Sequence, residues 1–341
     1  MGCFLLRTAK LVKNGASPES RSIAAGRPRL GHWLALLQNL LGAAIVLGFL
    51  WYLWLHRSRF AAVLDVSIFD LGLLTLLALF TKLATSTQAY VLYRASGIEI
   101  GFFENLVLAL ATHFGNYLPM RFGTLLRARY LKAAHGLRYA RFGGISTVRT
   151  LLVVIATGLF GLGGTVGVAL LGGRLSVELL ASFGALAALP LAALGWRPPK
   201  RRSEPGRLLR IWYDFSDGLT RLRSQPGVSL QVMGLVLVEY ASLSTRFLIA
   251  SHAMGAQVSI SMLVLLAPLA ALANSTALTP GGFGARETLM GYVTYATGTS
   301  FAEGAFVGAL DRAVLLGIDA VGGTGSFLRI WTRIRAAPAP R

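Results

Sequence analysis

Two stretches decide how this chain is read: Asn116-Tyr117-Leu118-Pro119-Met120-Arg121-Phe122-Gly123 and Leu278-Thr279-Pro280-Gly281-Gly282-Phe283-Gly284. Each interrupts long apolar sequence with a proline, which removes a backbone donor, and with glycine, which permits a tight bend. With Pro119 set on Pro280, Phe122 falls on Phe283 and Gly123 on Gly284. Downstream, Arg149 follows Pro119 by 30 residues and Arg312 follows Pro280 by 32, and each arginine opens a new apolar run. The two breaks therefore read as corresponding points of a repeated unit.

The surrounding composition says what kind of unit. The chain is 54% hydrophobic and 14% charged, with a net charge of +19 and a mean hydropathy of +0.61. Apolar runs lie near 33–55, 66–93, 102–119, 144–170, 176–195, 228–251, 259–279 and 302–331. Most are long enough to cross a bilayer, which takes about 20 helical residues. Trp51, Tyr52, Trp54, Trp196 and Trp331 stand at their ends, where an interfacial aromatic belt is expected. In that setting the basic excess marks topology and affinity for anionic lipid rather than nucleic acid. The single cysteine, Cys3, excludes an intramolecular disulfide and a cysteine metal cluster. Leu6 stands where the myristoylation pattern needs Ser or Thr, and the first apolar run begins only at Trp33, too late for a signal peptide.

Lys and Arg concentrate in the tail 1–32, in Arg121 to Arg141, in the loop 196–227 and at the C-terminus, with Arg329, Arg333, Arg335 and Arg341. The positive-inside rule places all four on the cytoplasmic side. If the chain is inside near Arg94 and inside again by Arg127, 102–119 cannot be a full crossing. The reading is a re-entrant hairpin, 102–114 in and 124–135 out, with a second one at 259–279 and 284–298. An all-α polytopic membrane protein follows, with about six full transmembrane helices plus two re-entrant helical hairpins. Within one integral membrane region, 33–332, the half-repeats 33–170 and 176–331 have opposite orientation. Inverted repeats of this kind build a site near the membrane midplane.

Polar residues flank both breaks: His113, Asn116 and Arg121 at the first, and Asn274, Ser275, Thr276, Thr279, Arg286 and Glu287 at the second. Non-helical backbone persists at membrane depth only against protein or a wet cavity. The breaks therefore either line a polar pathway or are kinks filled by neighbouring helices. Lys82, Glu239, Arg246, Asp311, Arg312 and Asp319 lie inside apolar runs, where charge is expensive and marks function by default. Arg149 lies near the start of its run and can snorkel to the interface. The structural alternative for these groups is mutual ion pairing. No P-loop, dinucleotide motif or zinc-like His spacing is present, and no carboxylate pair forms an evident acid/base couple.

At the breaks the chain resembles the lysylphosphatidylglycerol synthase-like transmembrane family of polytopic proteins, over about 33–332. Members show an Asn, then Leu-Pro, a Gly and an Arg in the first half; here these look like Asn116, Leu118-Pro119, Gly123 and Arg127. The second-half element, Pro-Gly-Gly-x-Gly-x-x-Glu with a later Arg, looks like Pro280, Gly281, Gly282, Gly284 and Glu287, followed by Arg312. Thr124 stands where an acidic residue commonly follows the first Gly. Val148 and Val153 stand where Glu and Asp often flank the arginine at Arg149. The resemblance implies a lipid-flippase-like membrane region. In bifunctional members a separate soluble domain makes the aminoacyl lipid, and these 341 residues contain none, so no synthase chemistry is expected.

The function expected is translocation of an amphiphilic, anionic or lipid-linked substrate in a bacterial inner membrane, with both termini cytoplasmic. Membrane lipids are the partners, and no catalytic residue, metal, cofactor or nucleic acid is assigned. The substrate-binding candidates are Asn116, Pro119, Arg121, Gly123, Arg127, Arg149, Asn274, Pro280, Gly281, Gly282, Gly284, Glu287 and Arg312. The alternatives are a membrane-embedded transferase acting on a lipid or polyprenyl carrier, with Glu239 or Glu287 as base, and a non-catalytic scaffold docking partners on 196–227.

Overall fold

In the computed structural model the described residues are 66–118, 122–170, 177–195, 224–255, 260–275, 284–296 and 300–336, with a few isolated positions elsewhere. The tail 1–32, the first apolar run and most of the loop 196–227 lie outside them. So do Pro119, Arg121, Pro280, Gly281 and Gly282.

The described residues form helices joined by short turns, with no strand among them. In chain order they form α1 (Ile68–Ala95), α2 (Phe102–Gly115), α3 (Phe122–His135), α4 (Tyr139–Leu170), α5 (Val177–Gly195), α6 (Pro226–Ala253), α7 (Ile260–Ser275), α8 (Ala285–Ala296), α9 (Phe301–Ile318), a π-helical turn (Asp319–Gly323) and α10 (Thr324–Ala336). Three of them, Ile68–Ala95, Tyr139–Gly167 and Pro226–Ala253, are long and apolar enough to cross a membrane. The 19-residue α5 is apolar but shorter. In α9 the apolar run is broken by Glu303, Asp311 and Arg312.

Helix α1 shows why this chain belongs in lipid. Ser67 caps its N-terminus, its Oγ accepting from the Asp70 N–H at 3.0 Å. Asp70 in the first turn and Arg94 in the last complement the helix dipole. The outward face carries Ile68, Phe69, Leu76 and Phe80, the first 89% exposed, whereas Lys82, Ser86 and Gln88 are buried. A water-soluble helix has the reverse arrangement. Apolar residues outward and polar ones inward suit a hydrocarbon solvent.

The centre is an antiparallel pair, α1 against α6. Thr81 meets Ser242 at 3.1 Å, and Gln88 meets Glu239 at 2.8 Å, so α6 descends as α1 climbs. Two helical hairpins flank the pair. In the first, Gly115 and Gly123 let the backbones of α2 and α3 touch: a Cβ on Gly115 would lie 2.6 Å from the Gly123 Cα. At the other end, Glu104 Oε1 accepts from the Tyr130 hydroxyl at 2.7 Å and contacts His135 Nε2 at 2.9 Å. The start of α2 and the end of α3 are therefore side by side. The second hairpin is α7 and α8. The packing is reciprocal: α2 lies against the π turn and α10, and α7 lies against α4.

Candidate functional site

Lys82, Ser86, Ala89 and Tyr93 recur every three or four residues and so lie on one face of α1. That face runs through the middle of the molecule and organises two polar clusters.

The first cluster gathers around α2, α3 and α4. Asn105 is fully buried and donates through Nδ2 to the Ser86 carbonyl at 2.8 Å and the Ser86 hydroxyl at 3.0 Å. Its Oδ1 is thereby turned to accept from Arg127 Nη2 at 3.1 Å. The Arg127 guanidinium also lies over the Tyr93 ring, 5.2 Å from its centre. Arg149 Nη2 donates to Gln88 Oε1 at 3.2 Å, and Gln88 Nε2 donates on to Glu239 at 2.8 Å. His113 sits within electrostatic reach of Lys82, Arg149 and Arg127. Asn116 closes the hairpin turn instead of facing this cluster: its Oδ1 accepts from the Thr124 N–H at 3.0 Å and the Thr124 hydroxyl at 3.2 Å.

The second cluster joins α1, α6, α8, α9 and the π turn. Asp311, fully buried, takes Arg246 on Oδ1, with Nε at 2.7 Å, and Arg286 on Oδ2. Arg286 lies over the Phe247 ring at 5.2 Å. Glu287 accepts from Arg312 Nε at 3.0 Å on one oxygen and from the Gly284 N–H at 2.9 Å on the other. Gly284 has φ 76°, a conformation glycine adopts readily, and this directs its N–H at the carboxylate. Lys82 Nζ reaches Asp319 at 2.6 Å, and the Tyr117 hydroxyl donates to the other Asp319 oxygen at 2.9 Å. Asp319 opens the π turn, a local widening of the helix that recurs at functional sites.

Several sequence candidates are thus brought together: Arg127 with Arg149, and Gly284 with Glu287 and Arg312. Asn274 lies in the last turn of α7. The ion pairs Arg246–Asp311, Lys82–Asp319 and Arg312–Glu287 realise the mutual pairing weighed above. Arg149 departs from the snorkelling expectation. Its helix begins at Tyr139, so the side chain starts nearly three turns in and turns to Gln88. Sequence reading missed Gln88, Ser86, Asn105 and Tyr117 as members of the network. A detectable signal existed for two of them, since Ser86 and Gln88 are polar residues close to Lys82 within one apolar run. Asn105 and Tyr117 reveal themselves only through their partners.

Among the described residues the two clusters contain six cations, Lys82, Arg127, Arg149, Arg246, Arg286 and Arg312. Against them stand four carboxylates, Glu239, Glu287, Asp311 and Asp319. Unbalanced charge this deep is expensive unless an anion shares the site. Among the described residues no group of three or more His, Cys, Asp or Glu is placed to hold a metal ion.

Apolar faces turned outward around a buried charged network define an integral membrane protein of helical class. Within that class the chain belongs to the family described as the lysylphosphatidylglycerol synthase TM region, whose model matches residues 39–323. No curated protein matches the chain. No solved structure does either.

Proposed function

We propose that the protein translocates an amphiphile with an anionic or lipid-linked headgroup across the bacterial inner membrane, along the polar face of α1 between the two helical hairpins. The observation that carries this reading is the buried surplus of guanidinium and ammonium over carboxylate. Family membership, with its relation to lipid, supports the same class of substrate. In this reading Gly123, Arg127 and Arg149 lie along the substrate path on one side and Gly284, Glu287 and Arg312 on the other, Asn116 holds the first hairpin turn, and Pro119, Arg121, Asn274, Pro280, Gly281 and Gly282 are proposed from the sequence alone.

The inverted repeat is part of the proposal. Under it α1 corresponds to α6, the α2–α3 hairpin to the α7–α8 hairpin, and α4 to α9. An antiparallel α1–α6 contact and hairpins that each pack on the opposite half's last helical stretch are what such symmetry requires, and both support it. The hairpin helices have 14 residues each in the first pair. At 1.5 Å per residue they extend about 21 Å, short of the roughly 30 Å hydrocarbon core. That length favours re-entry over crossing. The transferase alternative is weakened at Glu287, whose two oxygens each already accept a hydrogen bond, one from the Gly284 N–H and one from Arg312.

A vesicle assay tests the function. Purified protein is reconstituted in liposomes containing a fluorescent anionic phospholipid, and an impermeant reductant bleaches the outer leaflet. The assay is run with and without an imposed proton gradient and membrane potential. Bleaching of inner-leaflet lipid in protein-containing vesicles, abolished by Glu287→Ala or Arg312→Ala in inserted protein, is the expected result. Wild-type vesicles that protect the inner leaflet under every condition overturn the reading.

A further inference from the structure

The four carboxylates of the two clusters are held in different ways. Asp311 lies between two arginines, and Glu287 is fixed by Arg312 and the Gly284 N–H. Glu239 accepts from the neutral amide of Gln88. Asp319 is the one held by an ammonium on one oxygen and a hydroxyl on the other, Lys82 at 2.6 Å and Tyr117 at 2.9 Å. Lysine is a point charge without the fork of a guanidinium, so this pair lacks the two-pronged grip that arginine can exert. Asp319 and Lys82 are 2% and 7% exposed, but Tyr117, on the turn of the α2–α3 hairpin, is only partly buried. A hydroxyl can accept one proton as it donates another, so Tyr117 links the buried carboxylate to the outside. The π turn packs against α2, α9 and α10. The ionisable groups around the pair are Arg246 and Arg312, within electrostatic reach of Lys82, and His113. Helix α10 opens with Thr324, bonded back to Ala320, and has no ionisable residue before Arg329.

We propose that Asp319 is a proton-binding site, and that one proton on it accompanies each monoanionic substrate through the network, so that translocation is an electroneutral proton–anion symport driven by a pH gradient. The proposal rests on the translocation reading and supplies its energy source. Electrostatics couples the two ligands. A proton alone on Asp319 turns Lys82 into an uncompensated ammonium beside Arg246 and Arg312, in a network where buried cations already outnumber carboxylates. That arrangement is costly. A monoanion entering the network offsets the added charge, and proton and anion together leave the net charge as it was. Because coupling between two ligands is reciprocal, the proton strengthens binding of the anion as much as the anion strengthens binding of the proton. Protonation also replaces a charged acceptor with a neutral one at the Tyr117 hydroxyl, which weakens the tie between the hairpin turn and the π turn. Proton binding and release of the hairpin turn are thus one event.

The full chain in liposomes carrying fluorescent phosphatidylglycerol tests the coupling, with protein-free vesicles as the blank. A pH gradient is imposed while potassium and valinomycin clamp the membrane potential, and the final ratio of label between leaflets is measured. One proton per monoanion predicts accumulation in the leaflet on the alkaline side, by up to about tenfold per pH unit. A membrane potential without a pH gradient should leave the ratio near one. Asp319→Asn imitates a permanently protonated carboxyl, so the lipid should equilibrate between leaflets without following the gradient. If that variant fails to fold, Lys82→Gln with Asp319→Asn removes both buried charges and should show the same loss. Tyr117→Phe should reach the wild-type ratio more slowly. Glu178→Gln, at an exposed carboxylate of α5, should match the wild type. Wild-type lipid that moves but ignores the pH gradient, or follows the potential instead, overturns the symport and leaves translocation standing. A pH response that survives in both Asp319 variants and disappears in His113→Gln or Glu239→Gln places the proton elsewhere and overturns the site. No lipid movement under any condition fails the translocation reading, and the symport with it.

Discussion

Asp311 holds two arginines on its two oxygens with no solvent to share the charge. Removing that carboxylate leaves Arg246 and Arg286 as uncompensated buried cations, a situation that costs about 3–5 kcal/mol when a buried pair is broken. Asp311→Asn should therefore lower the unfolding midpoint sharply, or abolish a monodisperse peak in size-exclusion chromatography. Unchanged stability would mean the triad is solvated in the membrane. Arg312→Ala likewise removes one partner of Glu287, but the Gly284 N–H stays on that carboxylate, so this variant should insert and fail in transport instead. The residue scale is also where the sequence is least legible. Lys82, Glu239, Arg246, Asp311, Arg312 and Asp319 stand out in one dimension because charge is rare in apolar runs. Which cation meets which carboxylate is set by how helices far apart in the chain pack: Lys82 finds Asp319 across 237 positions. No local pattern encodes that.

The helices themselves are far more legible, because length and apolarity are local properties. The hairpin read as 102–114 and 124–135 is found as Phe102–Gly115 and Phe122–His135, and the long runs agree to within a few residues at most ends. The π turn at Asp319–Gly323 is not foreseen, since it depends on Lys82 and Tyr117 drawing Asp319 inward and on Gly323 resting against Phe114. Close helix contacts follow glycine placement, and one pair of glycines makes this testable. On α4, a Cβ at Gly161 would collide with the ring of Phe183, itself buried at 2% exposure. Two positions on, Gly163 has nothing within 4 Å of its would-be Cβ. Gly161→Ala should destabilise by about 1–3 kcal/mol through overpacking of α4 against α5. Gly163→Ala should be neutral or stabilising by up to about 1 kcal/mol, since alanine is the better helix former. Equal midpoints for the two variants in thermal unfolding would show that the α4–α5 contact is loose.

For the whole molecule, orientation and depth are linked by one contact. The Glu104 bonds to Tyr130 and His135 hold the start of α2 beside the end of α3, so both hairpin ends lie on the same face whatever the hairpin's depth. In the proposed topology, which follows the positive-inside rule, Arg129, Lys132, Arg138 and Arg141 put that face on the cytoplasmic side. The hairpin tip, with Leu118 at 41% exposure, then lies inside the membrane or at its far surface, and helix length favours the former. Single cysteines in a Cys3→Ser background separate the cases with a membrane-impermeant thiol reagent. Cysteines at Lys132, Ser203 and Gln225 should react only from the cytoplasmic side, and those at Glu178 and His252 only from the other. A cysteine at Leu118 should react poorly from both sides, because it is exposed to lipid or to a narrow polar path and not to bulk water. Brisk labelling of Leu118→Cys from outside would make α2 a crossing helix. Outside labelling at Ser203 would overturn the topology and the inverted repeat with it, while leaving the α1–α6 charge network as it stands.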